Sequence, residues 1–220
     1  MPPHSVPGSC LLCNTKKDRR AMSRHVLLCV AGDRGKNTQT SFFLLCVSAP
    51  PFWLYMAARD DAMLRDLDVF LRDIWLECCG HMSSFRIAGE RYTEPPQEDA
   101  DVLFGPPDRA MNITLSQVLR PNLSFEHEYD FGSTTTLQLT VVGQREMPMR
   151  KREPVKLIAR NEAPVWNCAV CQIPAAWICA ECENEGPPFL CRAHARAHEH
   201  DDMLLPVVNS PRMGVCGYEG

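Results

Sequence analysis

Apolar residues in the central part of the chain recur with two different periods. Residues 41–47 and 52–57 form two short apolar runs broken at Pro50-Pro51, the length and punctuation of strands. Behind them Asp60 or Asp61 offers an N-cap. Met63, Leu64, Leu67, Phe70, Leu71, Ile74 and Trp75 then fall at helical spacing, with Arg65, Asp66, Asp68, Arg72 and Asp73 on the other side. This predicts an amphipathic helix ending near Gly80. Residues 85–87 begin a strand, residues 93–107 are rich in Pro, Glu and Asp and read as loop, and residues 114–119 form a short helix stopped by Pro121. Residues 125–131 and 135–142 are strands joined by a turn at Gly132-Ser133. In the second of these, Leu137, Leu139 and Val141 alternate with Thr136, Gln138 and Thr140, as in a sheet with one wet face.

The polar residues divide the chain around this core. Residues 1–36 are basic, with Lys16, Lys17, Arg19, Arg20, Arg24, Arg34 and Lys36 against Asp18 and Asp33. Residues 40–146 hold the core. Residues 147–166 mix Pro148, Pro154 and Pro164 with Arg150, Lys151, Arg152 and Glu153, which reads as a connector. Residues 167–220 are a Cys/His-rich module with a turn-laden tail. No internal repeat is present.

Composition narrows the compartment more than the function. Of 220 residues, 45% are hydrophobic and 23% charged, enough for a packed core, and a net charge of -4 makes no whole-chain case for a polyanionic partner. No stretch approaches the roughly 20 apolar residues that span a bilayer. The first residues lack the basic and apolar regions of a secretory signal, so a cytoplasmic, reducing location is expected and the sequons at Asn112 and Asn122 are accidental. In that setting twelve cysteines point to metal rather than disulfides. Thiolates joined by imidazoles suit zinc better than calcium or magnesium.

The strongest chemical signal lies near the C-terminus. Cys168-x2-Cys171 is followed after seven residues by Cys179-x2-Cys182, after eight more by Cys191-x2-His194, then by His198 and His200. A Cys-x-x-Cys turn points both sulfurs at one ion, and eight ligands serve two ions. One pairing is cross-braced, as in B-box-like modules: Cys168, Cys171, Cys191 and His194 on one ion, Cys179, Cys182, His198 and His200 on the other. The simpler rival is a single-ion ribbon of Cys168, Cys171, Cys179 and Cys182. Reduced thiols in a core are a poor alternative, because so short and polar a segment needs a staple to fold. A closed four-ligand site leaves no position for water, so these ions are expected to hold structure and perform no catalysis.

At the N-terminus, Cys10-x2-Cys13, eleven residues, then His25-x3-Cys29 approximates a zinc finger. Met22 stands where such fingers carry a leucine, and the usual loop aromatic is absent, Lys17 lying near its place. The surface of Lys16, Lys17, Arg19, Arg20 and Arg24 could contact phosphates, or be a solvated charged loop. One finger alone reads few bases. Cys46, Cys78 and Cys79 read as buried thiols beside apolar segments. His81 and His127 could form a site with Glu126, Glu128 and Asp130, though such residues around a strand are more often surface groups. Cys216 is a candidate for an extra ligand or for contact with the zinc module; spacing does not choose between them.

Several stretches resemble the plasmid pRiA4b ORF-3-like family. They are the helix of residues 67–79 with His81 and Phe85 after it, and the run Phe125-Glu-His-Glu-Tyr-Asp-Phe-Gly132 before an alternating strand. The tail of residues 204–218, LLPVVNSPRMGVCGY, and the finger-like Met22-Ser-Arg-His-Val-Leu-Leu-Cys29 are also similar to longer members. The likeness covers roughly residues 10–218. One departure is Ser133-Thr-Thr-Thr136, where members often carry aromatic or His residues. The resemblance implies a compact α+β core and occurrence on bacterial mobile elements, and brings no established activity. The fold expected is therefore α+β, a mixed sheet-plus-helix core with small zinc-stabilised modules at both ends. The function expected is that of a zinc-binding, non-enzymatic adaptor with a protein or nucleic-acid partner, no membrane and no small-molecule cofactor. Nucleic-acid binding through the basic finger is a second expectation. An enzyme working at His81, His127 and Glu128 is a third.

Overall fold

The computed structural model describes residues 6–32, 39–94, 108–148, 152–182 and 189–220. In chain order the first elements are strands β1 (Gly8–Cys10) and β2 (Lys16–Lys17), helix α1 (Arg19–Gly32), strands β3 (Gln39–Ala49) and β4 (Phe52–Arg59), and helix α2 (Leu64–Leu71). A π-helical turn, Arg72–Leu76, extends α2. Strands β5 (Ser83–Ile87), β6 (Glu90–Thr93) and β7 (Arg109–Ala110), helix α3 (Leu115–Val118), and strands β8 (Ser124–Tyr129), β9 (Thr135–Pro148) and β10 (Val155–Asn161) follow. These ten strands make one sheet of order β2-β1-β10-β4-β3-β9-β8-β5-β6-β7, antiparallel except between β6 and β7. The fold is α+β, as expected.

The two central apolar runs lack polar alternation because both of their faces are covered. Phe43, Leu45 and Val47 of β3, with Leu54, Met56 and Ala58 of β4, pack beneath Leu64, Leu67, Leu71 and Trp75 of α2 and its π-turn. Phe42 and Leu44, with Trp53, Tyr55 and Ala57, point the other way, against Met22, Val26 and Val30 of α1. Close approach of α1 depends on Gly143 of β9, where a Cβ would lie 2.9 Å from Leu27 Cδ2. On β9, Leu137, Leu139 and Val141 are buried and Thr136 and Gln138 exposed, the period expected.

Three local expectations need correcting. Helix α2 is capped neither by Asp60 nor by Asp61: its N-cap is Met63, whose N–H donates to Asp66 Oδ2 at 2.8 Å. Asp68 does not face water. It lies in line with Leu64, Leu71 and Trp75, one helical face, and is only 5% exposed. The segment read as a connector contains β10, held between β1 and β4, because Val155, Ile158 and Ala159 supply enough apolar surface to join the sheet despite Lys156 and Arg160. The basic residues Arg34, Lys36, Arg150 and Lys151, and most of the loop 93–107, lie outside the described residues.

Beyond β10 the chain forms a second, small sheet of β11 (Trp177–Cys179), β12 (Phe189–Leu190) and β13 (Leu204–Pro206), with the short helix α4 (Arg192–Ala195). Its apolar cluster is slight: Cys168, Leu190, Cys191 and Ala195, flanked by Trp177 and Leu204. The tail then returns to the main core. Trp75 Nε1 donates to Asn209 O at 3.1 Å, Ser210 Oγ donates to Trp75 O at 2.6 Å, and Arg212 is fully buried. Among the described residues no helix is long and apolar enough to cross a membrane.

Candidate metal centres

Among the described residues, four groups of Cys and His side chains could each hold a metal ion, their ligand atoms lying within 4.8 Å of one another. Every cysteine except Cys46 belongs to one of them.

The N-terminal group is built on the edge of the main sheet. Cys10 ends β1 and Cys13 stands in the turn after it, with Asn14 N–H donating to Cys10 O at 2.8 Å. Helix α1 supplies His25 and Cys29, four apart and so on one face. Asp18 starts that helix, its Oδ1 accepting from Ala21 N–H at 2.8 Å. Cys13 Sγ lies 3.2 Å from His25 Nε2, and Cys10 Sγ 4.0 Å from Cys29 Sγ. Met22, Val26 and Val30 form the next stripe of α1 and press onto Trp53 and Tyr55 of the sheet. This explains the missing loop aromatic: the sheet supplies the apolar partner that a free-standing finger must carry itself. Hydrogen bonds from the Thr15 side chain and backbone lower the Cys13 thiol to about 6, whereas burial and the neighbouring thiols push Cys29 up to about 12. A second thiolate beside the first is costly without a cation between them.

The C-terminal group is interleaved. Cys168, Cys171, Cys191 and His194 meet in one place, and Cys179, Cys182, His198 and His200 in another. The Cys168–Cys171 turn closes by Gln172 N–H donating to Cys168 O at 3.0 Å. Cys191 stands at the N-cap of α4, which carries His194. His194 Nδ1 lies 3.4 Å from Cys168 Sγ and 3.3 Å from Cys191 Sγ, and Cys171 and Cys191 sulfurs are 3.8 Å apart. In the second set Cys182 Sγ is 3.4 Å from both His198 Nε2 and His200 Nδ1, and Cys179 Sγ is 3.9 Å from His200 Nδ1. The first and third ligand pairs thus share one centre, and the second and fourth share the other. Cys168 and Cys171 do not join Cys179 and Cys182, as a ribbon requires. Burial works against the Cys168 thiolate, but backbone N–H groups of Cys191, Cys171 and Val170 and the His194 ring lower it to about 6. The backbone N–H of His194 likewise lowers Cys191. Such donors favour the thiolate, the form that binds metal.

A fourth group was not foreseen. Cys78, Cys79 and His81 follow the π-turn and meet Cys216 of the tail. Cys79 Sγ lies 2.9 Å from His81 Nε2, 3.6 Å from Cys216 Sγ and 3.7 Å from Cys78 Sγ, with His81 Nε2 3.1 Å from Cys216 Sγ. Cys78 and Cys79 are therefore not simply buried thiols; Cys79 is exposed. No Cys-x-x-Cys marks the group, and its two parts are 135 residues apart from His81 to Cys216. The available signal was the glycines around them, Gly80 between Cys79 and His81, and Gly214 and Gly217 about Cys216.

The histidines proposed for a core site part company. His127 is fully buried and bonded to Asp68 Oδ1 at 2.7 Å. Glu126 and Glu128 alternate with it on β8 and face the other way, toward Gln138 and Ser84. His81 joins the cysteines, 3.7 Å from Asp130. Of the basic residues, Lys16 is paired with Glu162 at 2.5 Å, and Arg19, Arg20 and Arg24 are exposed. Lys17, Arg20, Arg24, His25 and Leu28 line a shallow surface groove.

No protein-family model matches the chain, and no curated protein matches it in sequence. Among solved structures it is similar to the crystal structure of a protein of unknown function, MM3350, from Methanosarcina mazei Go1, with 16% sequence identity and a TM-score of 0.43, over 59% of this chain and 72% of that one.

Proposed function

We propose that the chain is a zinc-binding, non-enzymatic adaptor protein of the bacterial mobile-element type, within the plasmid pRiA4b ORF-3-like family that its sequence resembles. The observation that carries this reading is the convergence of whole quartets of Cys and His at the two ends of the chain. Zinc takes tetrahedral sulfur and nitrogen ligands at about 2.3 and 2.0 Å, which sets ligand-to-ligand edges of about 3.5 to 3.8 Å. The sulfur–nitrogen and sulfur–sulfur separations of 3.3–3.9 Å in the C-terminal module fit that tetrahedron. Four protein ligands fill it, leaving no position for a catalytic water. The ions would then replace the core that the module lacks, and its exposed Val170 and Ile173, with Val165 just before it, would be free to meet a protein partner.

Zinc analysis of the purified chain tests this. At least three ions per chain are expected, with Cys168→Ser and Cys179→Ser each losing zinc and lowering the unfolding temperature of the module. Less than one zinc per chain, with both variants as stable as the parent, would sink the proposal. Nucleic acid bound at the groove of Lys17, Arg20 and Arg24 is the second reading, supported by the placement of these three cations on one surface.

A further inference from the structure

We propose that Cys78, Cys79, His81 and Cys216 hold an additional zinc ion that clasps the C-terminal tail to the main core and is the most easily removed of the set. The metal's identity rests on the zinc reading of the other quartets; the clasp itself stands on separate residues. Three thiols and an imidazole are a donor set for zinc and exclude calcium and magnesium. The sulfur separations of 3.6 and 3.7 Å match the roughly 3.8 Å edge of a tetrahedral zinc thiolate. The His81 nitrogen, 2.9 Å from Cys79 Sγ and 3.1 Å from Cys216 Sγ, lies closer than the sulfur–nitrogen edge of about 3.5 Å and must move outward a few tenths of an ångström to ligate the ion.

The backbone on both sides is shaped to bring these ligands together. Gly80, between Cys79 and His81, has φ 78°, and in the tail Gly214, Cys216 and Gly217 have φ 81°, 52° and 68°. Cys216 itself occupies the left-handed region that side chains with a Cβ avoid, a conformation that persists only where surroundings hold it. Arg212, fully buried, aims Nη2 at Cys78 Sγ from 3.7 Å while bonded to Asp130 at 2.5 Å and to Ser133 O at 2.6 Å. An oriented N–H donor on a ligand sulfur is the kind of support that metal sites use.

The position gives the ion its role. The tail leaves β13 of the small sheet and runs over Trp75 by way of Asn209 and Ser210 before reaching Cys216. A zinc there cross-links the tail to the residues just after the π-turn, and so fixes the C-terminal module on the core. Among the described residues it is also the one quartet without a buried ligand: Cys79 and Cys216 are exposed, Cys78 and His81 half-buried, whereas each of the others includes at least one buried cysteine. Its ion is therefore the most open to a competing chelator.

Native mass spectrometry of the full chain reads the number of bound ions. The parent and Cys46→Ser should carry four zincs, and Cys216→Ser and Cys79→Ser three, with a protease cutting the tail faster in both. A weak zinc chelator should take one ion quickly from the parent, and this fast phase should be missing in Cys216→Ser. Three zincs in the parent with none lost in Cys216→Ser, or a Cys79–Cys216 disulfide in the freshly purified chain, would overturn the clasp and leave the other centres intact. A parent chain without zinc would overturn both proposals together.

Discussion

Asp68 shows how one buried charge is accommodated. Helical spacing places it with Leu64 and Leu71, and a carboxylate there is tolerated only with a partner. His127 Nε2 at 2.7 Å and Arg72 Nη1 at 3.7 Å supply it. Burial alone would raise the Asp68 pKa, but the hydrogen bond and charge of His127, with smaller help from the Ser83 hydroxyl and the charge of Arg72, together offset this and hold it below its ordinary 3.8. A carboxyl lowered on folding stabilises the fold above the unfolded value, and that contribution is lost as pH falls through the folded one. Asp68→Asn should therefore cost about 2 kcal/mol at pH 7, the scale of a hydrogen bond to a charged group. In urea unfolding the gap to the parent should close as pH falls below about 4 and on through the lowered folded value; a gap unchanged between pH 5 and pH 2 would contradict this account. The sequence shows Asp68 as an ordinary polar residue because its partner stands on β8, 59 positions away.

At the scale of elements, helix α1 divides its work among three stripes. Met22, Val26 and Val30 bury against the sheet, His25 and Cys29 offer ligands, and Arg20, Arg24 and Leu28 face solvent. The second stripe was legible because Cys-x-x-Cys and His-x3-Cys are local spacings; the first was not, because the finger's apolar partner is the central sheet. The same distinction runs through the fold. The apolar runs of β3 and β4, the alternation of β9 and the face of α2 could all be read from their neighbours in sequence. Strand β10 was masked by its charges, and the fourth quartet by chain separation. The third stripe, with Lys17 of β2 beside it, carries the second functional reading. If Lys17, Arg20 and Arg24 bind phosphates, reversing all three to Glu should flatten the salt dependence of DNA or RNA retention by about three contacts' worth, roughly one unit of slope per cation. No retention by the parent at low salt would end that reading.

The whole molecule is a sheet covered on both faces by its own helices, with candidate metal centres at the sheet edge, where the tail meets the core, and in the small C-terminal sheet. The N-terminal centre borders the sheet edge formed by β1 and β2, and the two interleaved C-terminal centres sit around a cluster of only four buried residues. Composition could indicate that metal was needed; it could not indicate that the tail returns to the core. Ligand pairing is the point on which the account turns. Crystals measured on both sides of the zinc absorption edge test it most directly. Edge-dependent density should appear among Cys168, Cys171, Cys191 and His194, and separately among Cys179, Cys182, His198 and His200. No such density, or a single ion held by Cys168, Cys171, Cys179 and Cys182, would contradict it.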